Sequence, residues 1–231
     1  MDQYGTAPSQ LGVRPAAELA QRFLVQAFGW MFAGLLLTAG VATVVQSSET
    51  LTTFAARNLL VLFLGQLALV WVISGTIRAL NATLALGLFF LYAASLGLTV
   101  GLIVQFYTGG SVATAFRSAS AMFGAAAVYG ATTKRSLAGL GGILFMGLIG
   151  LIVASVLNLF LHSTGASWLI SIAGVVLFTA LTAYDVQRIQ SGDIAARTGS
   201  VEKAAVIGAL QLYLDFVNLF LFMLRLFGGR N

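Results

Sequence analysis

The chain has 231 residues, of which 59% are hydrophobic and only 8% charged, seven acidic against twelve basic, for a formal net charge of +5. A soluble domain carries roughly a quarter charged residues, so with a mean hydropathy of +0.96 the chain is expected to be an integral membrane protein. Zero cysteines exclude disulfides, thiolate metal sites and cysteine nucleophiles. The single histidine, His162, excludes a multi-histidine metal centre. No long basic run is present, so nucleic acid is not an expected partner.

In chain order, residues 1–22 form a polar tail holding Asp2, Arg14, Glu18 and Arg22 and both prolines, Pro8 and Pro15. The uncharged stretch Phe23–Val45 is longer than the apolar part of a signal peptide and reads as a retained transmembrane helix. Leu59–Ile77, Thr83–Gln105 and Leu137–Leu161 are likewise uncharged, and Val112–Ala131 is apolar apart from Arg117. Trp168–Tyr184 runs directly into Asp185, and Ala204–Phe227 is interrupted only by Asp215 and Arg225. Each stretch approaches the roughly 20 residues that cross a bilayer. Seven spans, unbroken by proline and without the alternating polarity of transmembrane strands, predict an all-α, seven-helix transmembrane bundle as one domain over residues 23–231. Small residues such as Gly97 with Gly101, and Gly147 with Gly150, predict close helix contacts.

Lysine and arginine set the orientation. A cytoplasmic N-terminus puts eight cations inside (Arg14, Arg22, Arg78, Lys134, Arg135, Arg188, Arg197, Lys203) and three outside (Arg57, Arg225, Arg230). The longest connection, Val186–Lys203, is then a polar and mobile cytoplasmic loop. The absence of a cleavable signal fits a bacterial inner (plasma) membrane.

The polar residues within the spans are the candidate functional groups, because a charge at the bilayer centre costs roughly 2.5–3.5 kcal/mol on insertion scales. Asp215 lies eleven residues past Ala204, about 16 Å along a helix and therefore near mid-membrane. Gln211, Asn218 and Arg225 share its face at helical spacing, a polar stripe suited to a water-filled path or a buried hydrogen-bond network. Asp185 ends the sixth span, where it either pairs with Arg188 at the surface or approaches Asp215 across two antiparallel helices. Two close carboxylates in low dielectric do not both ionise readily and tend to share a proton, which makes the pair a candidate pH sensor, proton relay or cation site. Arg78 closes the second span, as a headgroup anchor or as counter-ion to the acids. Arg117 and Arg225 can snorkel to the headgroups, and His162 falls in an outer loop with no assigned role.

These acids sit in motifs that resemble the Bax inhibitor-1 (transmembrane Bax inhibitor motif) family. ALQLYLDFVNLFLFMLRLF at Ala209–Phe227 resembles its terminal helix, TAYDVQRI at Thr182–Ile189 its sixth helix, and AVYGATTKRSLAGLGG at Ala127–Gly142 its link between helices four and five. The resemblance covers nearly the whole chain. It implies a seven-helix bundle with the seventh helix central, and a pH-sensitive calcium leak in which Asp185 and Asp215 are the paired sensor and Arg78 latches the closed state. Some relatives carry an acid in helix two, where this chain has Gln66.

The expected function is therefore a cation leak channel gated by protonation of Asp185 and Asp215, with Gln211 and Asn218 along the ion path. No cofactor is expected; calcium is the permeant ion, held weakly and transiently by the two aspartates, since a tight site takes six to eight oxygens. The lipid bilayer is the surrounding partner. The alternative is a regulatory membrane protein whose tail engages a membrane quality-control protease or another partner. An enzyme is not expected. An intramembrane aspartyl protease needs a GxGD turn where this chain has YLDFV, a serine–histidine hydrolase would have to use the outer-loop His162, and a retinal protein needs a lysine in the seventh span.

Overall fold

The structure, a computed structural model, describes residues 17–198 and 200–229. The first sixteen residues of the polar tail, with Arg14, and the terminal Arg230 lie outside them. All regular structure among the described residues is helical: α1 (Ala17–Ser47), α2 (Glu49–Arg57), α3 (Leu59–Thr76), α4 (Ala82–Val104), α5 (Gly109–Thr132), a 3-10 turn (Ala138–Leu140), α6 (Gly141–Leu161), α7 (Thr164–Gln190), α8 (Asp193–Thr198) and α9 (Val201–Phe227). Short side chains start the helices where the apolar runs begin. Ser48, Asn81 and Thr108 each take an extended backbone and accept the first free amides of α2, α4 and α5, from Leu51, Leu84 and Ser111. His162 ends α6 in the left-handed conformation, φ 49°.

Six of these helical segments are long and apolar enough to cross a membrane: Gln21–Ser47, Leu59–Thr76, Ala82–Val104, Ala138–Leu161, Thr164–Gln190 and Val201–Phe227. They cover six of the seven predicted spans, apart from one end residue in each of three, Ile77, Gln105 and Leu137. The other predicted span, Val112–Ala131, is helical throughout as part of the 24-residue α5, but Ala, Gly and Ser with Arg117 dilute its apolar content. Two connections are helical, one of them against expectation. The segment after the first span folds as the short helix α2, and the expected mobile loop Val186–Lys203 is largely helical. There α7 continues to Gln190, and of its polar residues beyond the apolar run Gln187 is engaged by the α5–α6 connection and Arg188 by Asp185 and Tyr184 of the same helix, as described below.

The described chain forms two compact units, 17–106 with Ile189–Tyr213, and Tyr107–Arg188 with 214–229. In the first, α1 lies against α4 at contact distance. A Cβ on Gly97 would come within 2.7 Å of Val41 Cβ and 2.9 Å of the Thr38 carbonyl, so only glycine permits the approach. Thr38 joins three helices, its hydroxyl within bonding distance of the Ala93 carbonyl at 2.8 Å and of the Tyr213 hydroxyl. The Phe89 and Tyr92 rings meet Tyr213 edge-on, and Gln66 donates from α3 to Ser95 O and Thr99 Oγ1 on α4.

In the second unit, Phe216 on α9 meets Phe116 and Phe123 of α5 edge-on. Phe222 stacks on Phe178 and lies over Gly174 of α7. Helix α9 is the most enclosed span: 72% of its most apolar window is buried, against 11–33% in the other five. The others leave large apolar side chains exposed, Leu60, Trp71 and Phe160 among them, the surface that lipid tails cover.

At Gly130 of α5 an added Cβ would collide with the backbone of Ala183, whose Cα would be 2.9 Å away. No rotamer change relieves such a clash. Gly130→Ala is expected to cost roughly 1–3 kcal/mol and to lower the thermal midpoint in detergent by several degrees, whereas Gly29→Ala, with nothing within 4 Å of the added carbon, leaves it unchanged or slightly raised.

Candidate functional site

Helix α7 carries Asp185 inside the helix rather than at its end, five residues before Gln190. The preceding turn is buried: the Thr182 hydroxyl donates to the Phe178 carbonyl at 2.7 Å. Asp185 is 7% exposed and Asp215 4%. From the Gly174 and Phe178 contact with Phe222, counting along two antiparallel helices places Asp185 level with the turn of α9 that ends at Asp215. The two carboxyl groups accordingly lie within Coulombic reach of each other.

Their surroundings differ. Asp185 Oδ1 accepts from Arg188 Nη1 at 3.4 Å, one turn along the same helix, and the Arg188 guanidinium lies over the Tyr184 ring, 5.2 Å from its centroid. Asp215 has no such neighbour: its Oδ2 is buried and accepts no hydrogen bond from a described residue. Gln211 Oε1, one turn earlier on the same face of α9, is also buried and unpartnered. Asn218 turns its amide back onto the Leu214 carbonyl at 2.8 Å.

Hydroxyls elsewhere in the spans are treated differently. Thr43, Thr76, Thr132, Ser155, Ser171, Thr179 and Thr182 each donate to the carbonyl four residues back in their own helix. A carboxylate has no proton to give a carbonyl, so Asp215 cannot be satisfied in this way. The face of α9 from Gln211 to Asp215 is thus lined by oxygen acceptors, a set that suits a proton, a water molecule or a hard cation. Among the described residues no group of three or more His, Cys, Asp or Glu side chains gathers into a metal cage.

The profile of the family described as "Inhibitor of apoptosis-promoting Bax1" matches residues 20–231. The inner membrane protein YbhL of Escherichia coli strain K12 is 45% identical over 225 residues, covering 95% of this chain and 96% of YbhL. The chain belongs to the Bax inhibitor-1 family. The protein YrjE of Lactococcus lactis is 38% identical over 211 residues, 89% of this chain and 90% of its own length. A membrane protein of Streptococcus pyogenes serotype M3 is 43% identical over 166 residues, 72% of each chain. With six apolar spans, this Bax inhibitor-1 family member is a multi-pass inner-membrane protein.

Within this family member, Asp185 and Asp215 are brought together in one unit. Gln211 and Asn218 share the Asp215 face of α9. Arg78 lies in the other unit, exposed, with Nε donating to the Arg197 carbonyl at 2.7 Å; the cation bonded to Asp185 is Arg188. Arg117 is exposed on α5, and Arg225, also exposed, sits over the Phe222 ring at 5.6 Å.

Sequence reasoning missed Gln187, the residue before Arg188 in the motif. Gln187 accepts from Leu137 N at 2.6 Å and donates to the Arg135 carbonyl at 2.9 Å. It clasps the α5–α6 connection onto α7, and Leu137 packs there with Ala126, Ala183 and Tyr184. The only signal was proximity: the clasped loop and the clasping residue each fall inside a family-like motif. Gln187→Ala removes two hydrogen bonds, each worth roughly 0.5–1.5 kcal/mol. Hydrogen exchange at the Leu137 amide is expected to accelerate in this variant while the amides at the middle of α9 keep their protection.

Proposed function

We propose that this Bax inhibitor-1 family protein is a pH-sensitive cation leak with calcium as a permeant ion, gated by protonation of the Asp185–Asp215 pair. The observation that carries the reading is the buried Asp215 carboxyl, with an unpartnered oxygen, level with a second carboxyl on the facing helix. Supporting it, α9 is the most enclosed span, as a central seventh helix would be. In the proposed topology α5 is the fourth of seven spans, its small residues giving close packing in place of apolar bulk. The N-terminus is cytoplasmic, on the count of eight cations inside against three outside.

The sign of the gate follows from charge. Ionised Asp185 holds Arg188 over Tyr184 and fixes the end of α7; adding protons removes the negative charge that holds the arginine. Acidification therefore favours opening. Arg78 is the second cation that the family resemblance assigns to a closed-state latch. The role is transport rather than catalysis. Cations passing Asp215 would meet carboxylate and amide oxygens, enough for a weak, transient site and compatible with conduction, which needs binding weak enough to leave.

In proteoliposomes loaded with a calcium indicator, influx is expected to rise as pH falls from 8 to 5, by up to about tenfold per pH unit, the limit for one linked proton. Asp185→Asn and Asp215→Asn each flatten the response, and Arg188→Ala raises the flux at neutral pH because the closed-state pair is gone. Flux equal to that of protein-free vesicles at every pH would overturn the leak and favour the regulatory reading, in which the tail engages a membrane protease.

A further inference from the structure

The side chains of Arg78 and Lys203 meet the backbone of a third basic residue, exposed Arg197, at one edge of the unit formed by 17–106 and Ile189–Tyr213. Arg78 follows the last turn of α3, Arg197 lies in the last turn of α8 and Lys203 in the first turn of α9. They are tied together through the backbone: Arg78 Nε donates to the Arg197 carbonyl at 2.7 Å, and Lys203 Nζ donates to the Arg78 carbonyl at 2.8 Å. These bonds pin two long, otherwise mobile side chains. Each uses a single N–H, which leaves the terminal nitrogens of Arg78 and two ammonium protons of Lys203 for another acceptor.

Two acids lie near the three cations in the chain, Asp193 one turn before Arg197 and Glu202 beside Lys203, but neither forms an ion pair with them. Among the described residues the one ion pair is Arg188 with Asp185, and the Glu202 carboxylate is turned to the Ser200 hydroxyl at 2.6 Å. Like charges held together repel, and an anion offered to the spare donors relieves that repulsion.

The position identifies the anion. Helix α3 has 18 residues, about 27 Å at 1.5 Å per residue, close to the roughly 30 Å of a hydrocarbon core. A residue just past its end is at the level of the lipid phosphates. Trp71, 78% exposed, lies seven residues before Arg78, on the same helical face two turns into the apolar region. A cationic fork above an exposed apolar face matches a headgroup joined to acyl chains better than it matches a free ion.

We propose that Arg78, Arg197 and Lys203 form a binding site for the phosphate headgroup of an anionic phospholipid, whose acyl chains run along α3 past Trp71. The site depends on neither the leak nor the orientation of the chain in the membrane.

Purified full-length protein, equilibrated with equal amounts of phosphatidylglycerol and phosphatidylcholine in mixed micelles, is read by native mass spectrometry. Wild type is expected to retain phosphatidylglycerol preferentially. Arg78→Gln, Arg197→Gln and Lys203→Gln each reduce that preference roughly fivefold, Lys203→Arg keeps it, and Lys134→Gln, which removes a cation from the other unit, leaves it intact. Trp71→Ala weakens retention of both lipids. Equal retention of the two lipids by wild type, or a preference unchanged in the doubly neutralised Arg78→Gln, Lys203→Gln protein, overturns the site. Displacement of phosphatidylglycerol by millimolar inorganic phosphate, with no effect of Trp71→Ala, assigns the cluster to a free ion and overturns the lipid. Should the neutralised variants fail to fold, a salt titration of wild type decides: the preference falls with rising salt if the cluster holds the headgroup, and a salt-independent preference overturns it.

Discussion

The strongest constraint on the unit formed by Tyr107–Arg188 and 214–229 is a carboxyl group at mid-helix with an oxygen that no described side chain or backbone amide satisfies. In a bilayer core there is no water to make up the difference, and an unsatisfied polar group there costs several kcal/mol. Asp215 must therefore be walled off from lipid, and α9 is the helix that is walled off. Its neighbours Leu212, Tyr213, Phe216, Val217 and Leu219 are all buried, while α3 and α6 turn Leu60, Trp71, Ile143 and Phe160 outward. In the same unit Gly130 lets α5 and α7 close until backbone meets backbone, Phe116 and Phe123 of α5 pack against Phe216 of α9, and Phe222 of α9 stacks on Phe178 of α7.

The second acid is compensated where the first is not. Asp185 has a guanidinium one turn away, and that guanidinium has an aromatic face beneath it. Little more than one turn of α7 thus carries a chain of dependence: Tyr184 supports Arg188, Arg188 holds Asp185, and Asp185 lies within the field of Asp215. Gln187 is the adjoining member that faces the α5–α6 connection instead. One short motif, TAYDVQRI, hence presents charge to α9 and hydrogen bonds to a loop from alternate sides of the same helix.

Much of this was legible in the residues. The spans were visible because apolar runs of bilayer length have few other uses, and Asp215 with Gln211 stood out because polar groups in such runs are costly. Arg188 was visible as a partner of Asp185 because three-residue spacing is local helical geometry. What was hidden needed tertiary contact. The end of α7 was placed too early, since the apolar run stops at Tyr184 whereas the helix runs to Gln190, with Gln187 engaged by the distant α5–α6 connection. The α8 helix lay in a stretch read as a loop, and α2 was not read at all, because six and nine residues of mixed polarity carry little periodicity. The meeting of Thr38 with Tyr213 joins residues 175 positions apart, and no local pattern announces it.

The clasp by Gln187 also bears on where the chain can be opened. By composition the stretch between α5 and α6 is an ordinary polar turn, with Lys134, Arg135 and Ser136 in succession. In the folded protein its backbone is spoken for on both sides of Ser136, at the Arg135 carbonyl and the Leu137 amide. A reporter domain or epitope spliced in at this point would part the two groups that one glutamine holds together. The turn after α6, where exposed His162 and Ser163 answer only to Asn158 and their near neighbours, is the joint where foreign sequence can be carried without pulling on α7.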